Sequence, residues 1–173
     1  MYNSEYQAAQ DLLDELTSTL VLTKGGQVEF AFIHPGDIIP EYGCSQAAVR
    51  VVETTPTIQF PNPLPGPQKC GTYMHAVTLE MSVVRCYDRP PDNGMLSPAQ
   101  INEQAKVLID DAAAMRKAAT CAWPDRTPHM PLNWSQYVHG DVYGGTMRVI
   151  VRANLGCGGC EGFTSIDDIL SVD

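Results

Sequence analysis

Basic residues are scarce in this sequence: 11 Lys and Arg stand against 20 Asp and Glu, a formal net charge of -9 over 173 residues. A protein that grips nucleic acid through its phosphates needs a basic face, so the balance argues against that mode of binding. The charge reads as ordinary solubility or, more sharply, as an acidic lumen that repels passing DNA, and charge alone does not separate the two. Long apolar runs are missing as well; none approaches the roughly 18 residues that a membrane span requires. Residues 1–16 carry neither a basic n-region nor an apolar h-region, so no signal peptide is expected and synthesis and assembly are expected in a cytoplasm. Six cysteines at this length are too sparse for a disulfide scaffold. Charged residues make up only 18% of the chain, which leaves room for surface covered by other subunits.

Catalytic signatures are absent too. His34, His75, His129 and His139 lie in no recognisable nucleophile context, with His34 and His139 read as loop residues, and neither G-x-S-x-G nor H-E-x-x-H occurs. Tyr143-Gly144-Gly145-Thr146 precedes a strand, whereas a phosphate-cradling loop precedes a helix. It reads as a turn entering that strand. Asp110 and Asp111 are adjacent on a helix and point about 100° apart, so they read as a solvated edge and not as a carboxylate dyad. No catalytic residue, cofactor or metal is assigned. The most motif-like piece is Cys157-Gly158-Gly159-Cys160, whose spacing suits half of a zinc site or a redox pair. Cys44, Cys70, Cys86 and Cys121 are isolated in sequence and supply no second C-x-x-C. The default reading is reduced thiols in a loop, with a small cytosolic metal or redox domain as the functional alternative.

What the chain does contain is amphipathic pattern. Ser4 and Gln7 have capping-box spacing, and Leu12, Leu13, Leu16 and Leu20 form the stripe of a helix lying on a core, closed by Lys24-Gly25-Gly26. Val28, Phe30 and Phe32 alternate with polar neighbours as in a half-buried strand, and a second strand is expected from about Ala47 to Thr54. Five prolines between Pro56 and Pro67 mark residues 56–69 as a long extended loop. From Met74 to Cys86, Val77, Leu79, Met81 and Val83 share one face and Thr78, Glu80 and Ser82 the other, a strand of roughly 40 Å. A helix over 98–122 opens with Ser97-Pro98 and carries Ile101, Ala105, Leu108, Ala112, Met115 and Ala119 on one side. A short strand at 133–139 and a long one at 146–154, with Met147, Val149 and Val151 inward, complete the pattern. Residues 155–173 are a glycine-rich and then acidic tail.

This order predicts a single α+β domain spanning 1–173, with a mixed, mostly antiparallel sheet and the helices packed on one face. Glu80 lies on the polar face of one long strand, and Arg148 and Arg152 on the polar face of the other. Paired across the strands, such charges contribute roughly 0.2–1 kcal/mol each. The face reads either as wetted sheet or as a subunit interface centred on Glu80, Arg148, Ile150 and Arg152, with Val84 adding apolar contact.

The order resembles the tail terminator proteins of long, flexible-tailed phages: a helix, strands with a long loop, and a strand–helix–strand ending on one sheet. Local motifs are similar to neck and tail-completion proteins of actinobacterial phages. These are Pro65-Gly66-Pro67-Gln68-Lys69-Cys70-Gly71, the valine-rich strand ending in Arg85-Cys86, Ala113-Ala114-Met115-Arg116-Lys117-Ala118, and Cys121-Ala122-Trp123. The match covers roughly residues 5–155. The family pattern places a glycine–cysteine–glycine turn before the last strand; this chain has Gly140 to Gly145 without that cysteine, which weakens any carried-over disulfide or metal role for Cys121 and its companions. The resemblance implies a homohexameric ring at the head–tail junction of the virion. Such a ring meets the major tail tube protein on one side and the head–tail connector or stopper on the other, with genomic DNA passing through its lumen unbound. It implies no cofactor and no membrane. A stopper or head-completion protein is the alternative at the same joint.

Overall fold

The computed structural model of the chain describes residues 4–64, 74–87, 95–123 and 127–155. Two helices, α1 (Glu5–Leu20) and α2 (Pro98–Cys121), accompany five strands. The strands are β1 (Phe30–His34), β2 (Ser45–Thr57), β3 (Met74–Cys86), β4 (His129–His139) and β5 (Val142–Ala153). They form one sheet in the order β1-β2-β3-β5-β4. The β1–β2 pair is parallel and the other three pairs are antiparallel, so the sheet is mixed and the class is α+β.

Both helices pack on the same sheet face. The leucine stripe of α1 (Leu12, Leu13, Leu16, Leu20) and Ala114, Met115, Ala118 and Ala119 of α2 close over a layer of sheet side chains. That layer comprises Ala47 and Val49 of β2, Val77, Leu79, Met81 and Val83 of β3, and Met147, Val149 and Val151 of β5. The inward residues of β3 and β5 are those the period-2 pattern picks out, because successive side chains of a strand point to opposite faces; β3 is also covered on its other face at Thr78, Ser82 and Val84. Ser4 caps α1 through the Tyr6 amide at 3.1 Å. At α2 the full capping box forms, with Ser97 and Gln100 each bonding the other's backbone amide.

Several boundaries differ from the sequence expectation. β1 begins at Phe30, and its core contact is Ile33, while Phe30 is exposed and Phe32 stacks edge-on against Tyr42. Pro56 is not in the loop: it sits in β2 opposite His75, beyond the stretch covered by β1, where its missing N–H leaves no ladder bond unmade. Residues 58–64 then double back, with the Leu64 amide donating to the Pro56 carbonyl at 2.9 Å. The remainder of the proline-rich stretch and the C-x-x-C of Cys157 and Cys160 lie outside the described residues. β4 starts at His129 and tolerates Pro131 because it is an edge strand, bulged between Pro131 and Trp134. His34 and His139 are the last residues of β1 and β4, not loop residues.

Gly144 and Gly145 lie within β5 and not in a turn before it. A Cβ at Gly144 would fall 2.1 Å from the Val83 carbonyl oxygen, and one at Gly145 would fall 2.3 Å from the Trp134 indole nitrogen. The turn is Gly140-Asp141, with Gly140 at a φ of 58°. In α2 the expected apolar face is half right. From Asp111 onward it is buried, but Ile101 and Ala105 are exposed, and Ile109 on the adjoining flank is too, so the first half of the helix overhangs the sheet.

A candidate interface on the open sheet face

The sheet face opposite the helices holds Gln46, Ala48 and Arg50 of β2, Ser82 and Glu80 of β3, and Thr146, Arg148, Ile150 and Arg152 of β5, by the same alternation that buries their neighbours. Register sets Arg50 opposite Glu80 and Glu80 opposite Arg148, so three charges form one row across three strands. Arg50 Nε donates to Glu80 Oε1 and Arg148 Nε donates to Oε2, both at 2.7 Å. Burial alone would push the Glu80 carboxyl up; the bonds and charges of Arg50 and Arg148 outweigh that and hold it below the usual carboxylate range.

The sequence left Glu80 facing either Arg148 or Arg152, and the pair that forms is Glu80–Arg148. Arg50 was missed, although it shares parity with Gln46 and Ala48 in a strand that the sequence does show. Exposure is uneven along the row. The side chains of Arg50 and Glu80 are 11% and 14% exposed, while that of Arg148 is 49% exposed. Glu80 is therefore the locked centre and Arg148 the group that faces outward. Arg152 pairs opposite Ala76, away from Glu80, and its buried Nε has no hydrogen-bond partner among the described residues. Ile150 is half-buried. Val84 does not add apolar contact to this face: it is fully buried.

What buries Val84 is the segment between β1 and β2. Gln46, with no exposed surface, accepts from the Tyr42 amide and donates to the Pro40 carbonyl, both at 2.8 Å, drawing residues 40–42 over the sheet. Glu41 reaches the edge strand β4, 3.6 Å from His139 Nδ1. Beneath this strap is a cavity of about 240 Å³, floored by Ser82, Val84 and Thr146 and walled by Tyr137 and Glu80. Burial raises the Tyr137 hydroxyl pKa, a hydrogen bond with Ser82 partly offsets that, and the charge of Glu41 pushes the same way as burial. A second cavity of about 440 Å³ continues past Glu80 along Leu132, Asn133 and Arg148.

Cys44 and Cys86 are not isolated. They form a disulfide that ties the end of the strap to the end of β3, with Cα atoms 4.3 Å apart. The pairing follows from register, since Ser45 opposes Arg85 and the next position out brings the two cysteines together. Their separation of 42 residues concealed this in the sequence. Cys121 is a free, exposed thiol, and no cluster of metal-ligating side chains occurs among the described residues.

Asp111 is likewise not a solvated edge. Only 3% exposed, it receives both Arg85 Nε at 2.8 Å and Arg85 Nη2 at 2.9 Å. The same guanidinium donates to the Gly25 and Gly26 carbonyls at 3.0 Å, joining α2, β3 and the turn after α1 at one end of the core. Asp110 does stay at the surface, accepting from the Lys24 amide at 2.9 Å.

Neither a scan against protein-family models nor a search of curated proteins returns a match to this chain.

Proposed function

We propose that this chain is a structural subunit of a phage head–tail joint, a tail terminator that assembles into a ring. In that reading the ring caps the tail tube and meets the head connector in the virion, after assembly in the host cytoplasm. The observation that carries the reading is the asymmetry of the sheet. One face is sealed by both helices, while the other carries a pre-set charged row ending in an outward-facing Arg148. A row held by two 2.7 Å bonds is already ordered before any partner arrives, so contact there costs little further side-chain entropy. The resemblance of the sequence motifs to those of neck and tail-completion proteins supports the kind of assembly, and the geometry supports the choice of surface.

The test is the state of the purified full chain by light scattering and negative-stain microscopy. A ring with the mass of several protomers is expected. Charge reversal of Arg148 should leave a folded chain that no longer closes into rings. A stable monomer holding stoichiometric zinc would overturn the reading, and a ring that binds connector protein but not tail tube protein would move the chain to the stopper or head-completion station.

A further inference from the structure

A sheet that stays single protects its outer strands with charges, proline or bulges, because their free amides and carbonyls are a template for another strand. Here the charges sit on the inner strands: Arg50 and Glu53 on β2, Glu80 and Arg85 on β3, Arg148 and Arg152 on β5. The outer strands β1 and β4 have no further strand beside them among the described residues, and they contain no Asp, Glu, Lys or Arg. A groove of about 550 Å³ follows β1, lined by residues 29–35 and by Tyr42. Phe30 and Ala31 stand exposed along it.

The guard that β4 does carry covers only half of it. Pro131 and the bulge between Pro131 and Trp134 interrupt its first half and leave Trp134 to His139 regular. Across the five strands, Phe30 shares a row with Gln46, Val84, Gly144 and Tyr137, and Ile33 shares one with Val49, Met81, Met147 and Trp134. β1 therefore lies level with the regular half of β4, and the row of its last residue, His34, runs through Arg50, Glu80 and Arg148 into the bulge. Direction agrees as well. β1, β2 and β5 run one way and β3 and β4 the other, so the two edges are opposed. A copy that continues the sheet with its helices on the same face brings its β1 against β4 in the antiparallel sense. Facing is kept too: Ile33 falls beside Trp134, both packed on the core, and Phe30 beside Tyr137 on the open face.

We infer that β1 of one copy pairs antiparallel with the Trp134 to His139 half of β4 in the next, so that one sheet continues through the assembly. This rests on the self-association proposed above and names the strands that carry it. Main-chain hydrogen bonds supply the attraction and the alternating side chains set the register. Each copy offers one edge and receives the other, the head-to-tail arrangement from which rings close.

In straight register Ala31 of one copy lies opposite Gln136 of the next, and both positions are exposed, so charges there leave the fold intact. Three double variants of the full chain test the pairing. Ala31→Lys/Gln136→Lys sets like charges opposite each other, while Ala31→Glu/Gln136→Lys and Ala31→Lys/Gln136→Glu set opposite ones. At low salt the like-charged variant should associate roughly tenfold more weakly than the other two, which should match each other, as read by analytical ultracentrifugation. Equal association of all three overturns the inference. Hydrogen exchange in the native chain is the second measurement. The outward amides of β1 and of residues 134–139 should exchange fast in the dilute monomer and slowly in the assembly. Slow exchange at every dilution means that the same chain already covers its edges, and overturns the inference as well. Oligomers whose edge amides stay fast sink the strand pairing and spare the ring, and a native chain that is monomeric at every concentration sinks both.

Discussion

Two carboxylates, Asp111 on α2 and Glu80 on β3, show how much one side chain's surroundings matter. Asp111 is sealed in the core with the Arg85 guanidinium, so removing it strands a buried cation. Asp111→Ala should destabilise the protein by about 3–5 kcal/mol, a fall in Tm of roughly 10–15 °C at this chain length; thermal unfolding by circular dichroism reads it. A fall of only a degree or two would mean that the pair is not buried in solution. Glu80 tests a different property, the acid limb of stability. Its pKa is depressed in the folded state by Arg50 and Arg148. Its contribution is therefore complete above the unfolded carboxylate value of about 4.3 and is lost as the pH falls through the lower folded value. Glu80→Gln should flatten the loss of stability below that value and cost stability at neutral pH; an unchanged acid limb would refute the assignment. Glu103 is a useful contrast, because Lys106 and Lys24 hold its pKa at about 2, yet its side chain is half exposed at the surface and its replacement should leave thermal stability unmoved. Period-2 patterning made Glu80 and Arg148 legible, since each follows from its own strand. Asp111 was not legible, because its burial depends on Arg85, 26 residues away on another element.

At the scale of elements, the sequence shows most clearly what repeats. The α1 stripe, the α2 cap and the inward faces of β3 and β5 all follow from spacing, and each is where the pattern puts it. Edges fared worse for a physical reason. Pro56 read as part of a loop and Pro131 fell outside the strand expected at 133–139, but both sit in strands on a side where no other strand of the sheet pairs with them, and only the sheet order reveals that. Gly144 and Gly145 read as a turn for the same reason: their need for bare backbone comes from Val83 and Trp134, on other strands. The Cys44–Cys86 bridge belongs at this level too, since it joins the strap to β3 over a 42-residue separation. Its removal by Cys44→Ser/Cys86→Ser should cost roughly 2–4 kcal/mol. It should also loosen the strap, seen as faster exchange of the Tyr42 amide that Gln46 now holds. Unchanged stability in the double variant, together with free thiols in the native protein, would show that the bridge does not form in solution.

For the whole molecule, the open face poses the question that a single chain raises most directly. An antiparallel sheet is able to leave one face in water, and the strap, the Arg50–Glu80–Arg148 row and the two cavities would be stable on that footing. A face covered by another copy differs in one measurable respect: the folded state is then linked to protein concentration. A monomer melts at the same temperature at any dilution. An assembly gains at most about 1.4 kcal/mol per protomer for each tenfold rise in concentration, which at this length is a rise in Tm of roughly 3–5 °C. We expect that dependence for the native chain, measured by scanning calorimetry across two decades of concentration. It should disappear on charge reversal of Arg148, which is half exposed and contributes little to the core. A native Tm that does not move with concentration would leave the charged row as a solvated sheet face. The resemblance to ring-forming proteins would then rest on sequence motifs alone.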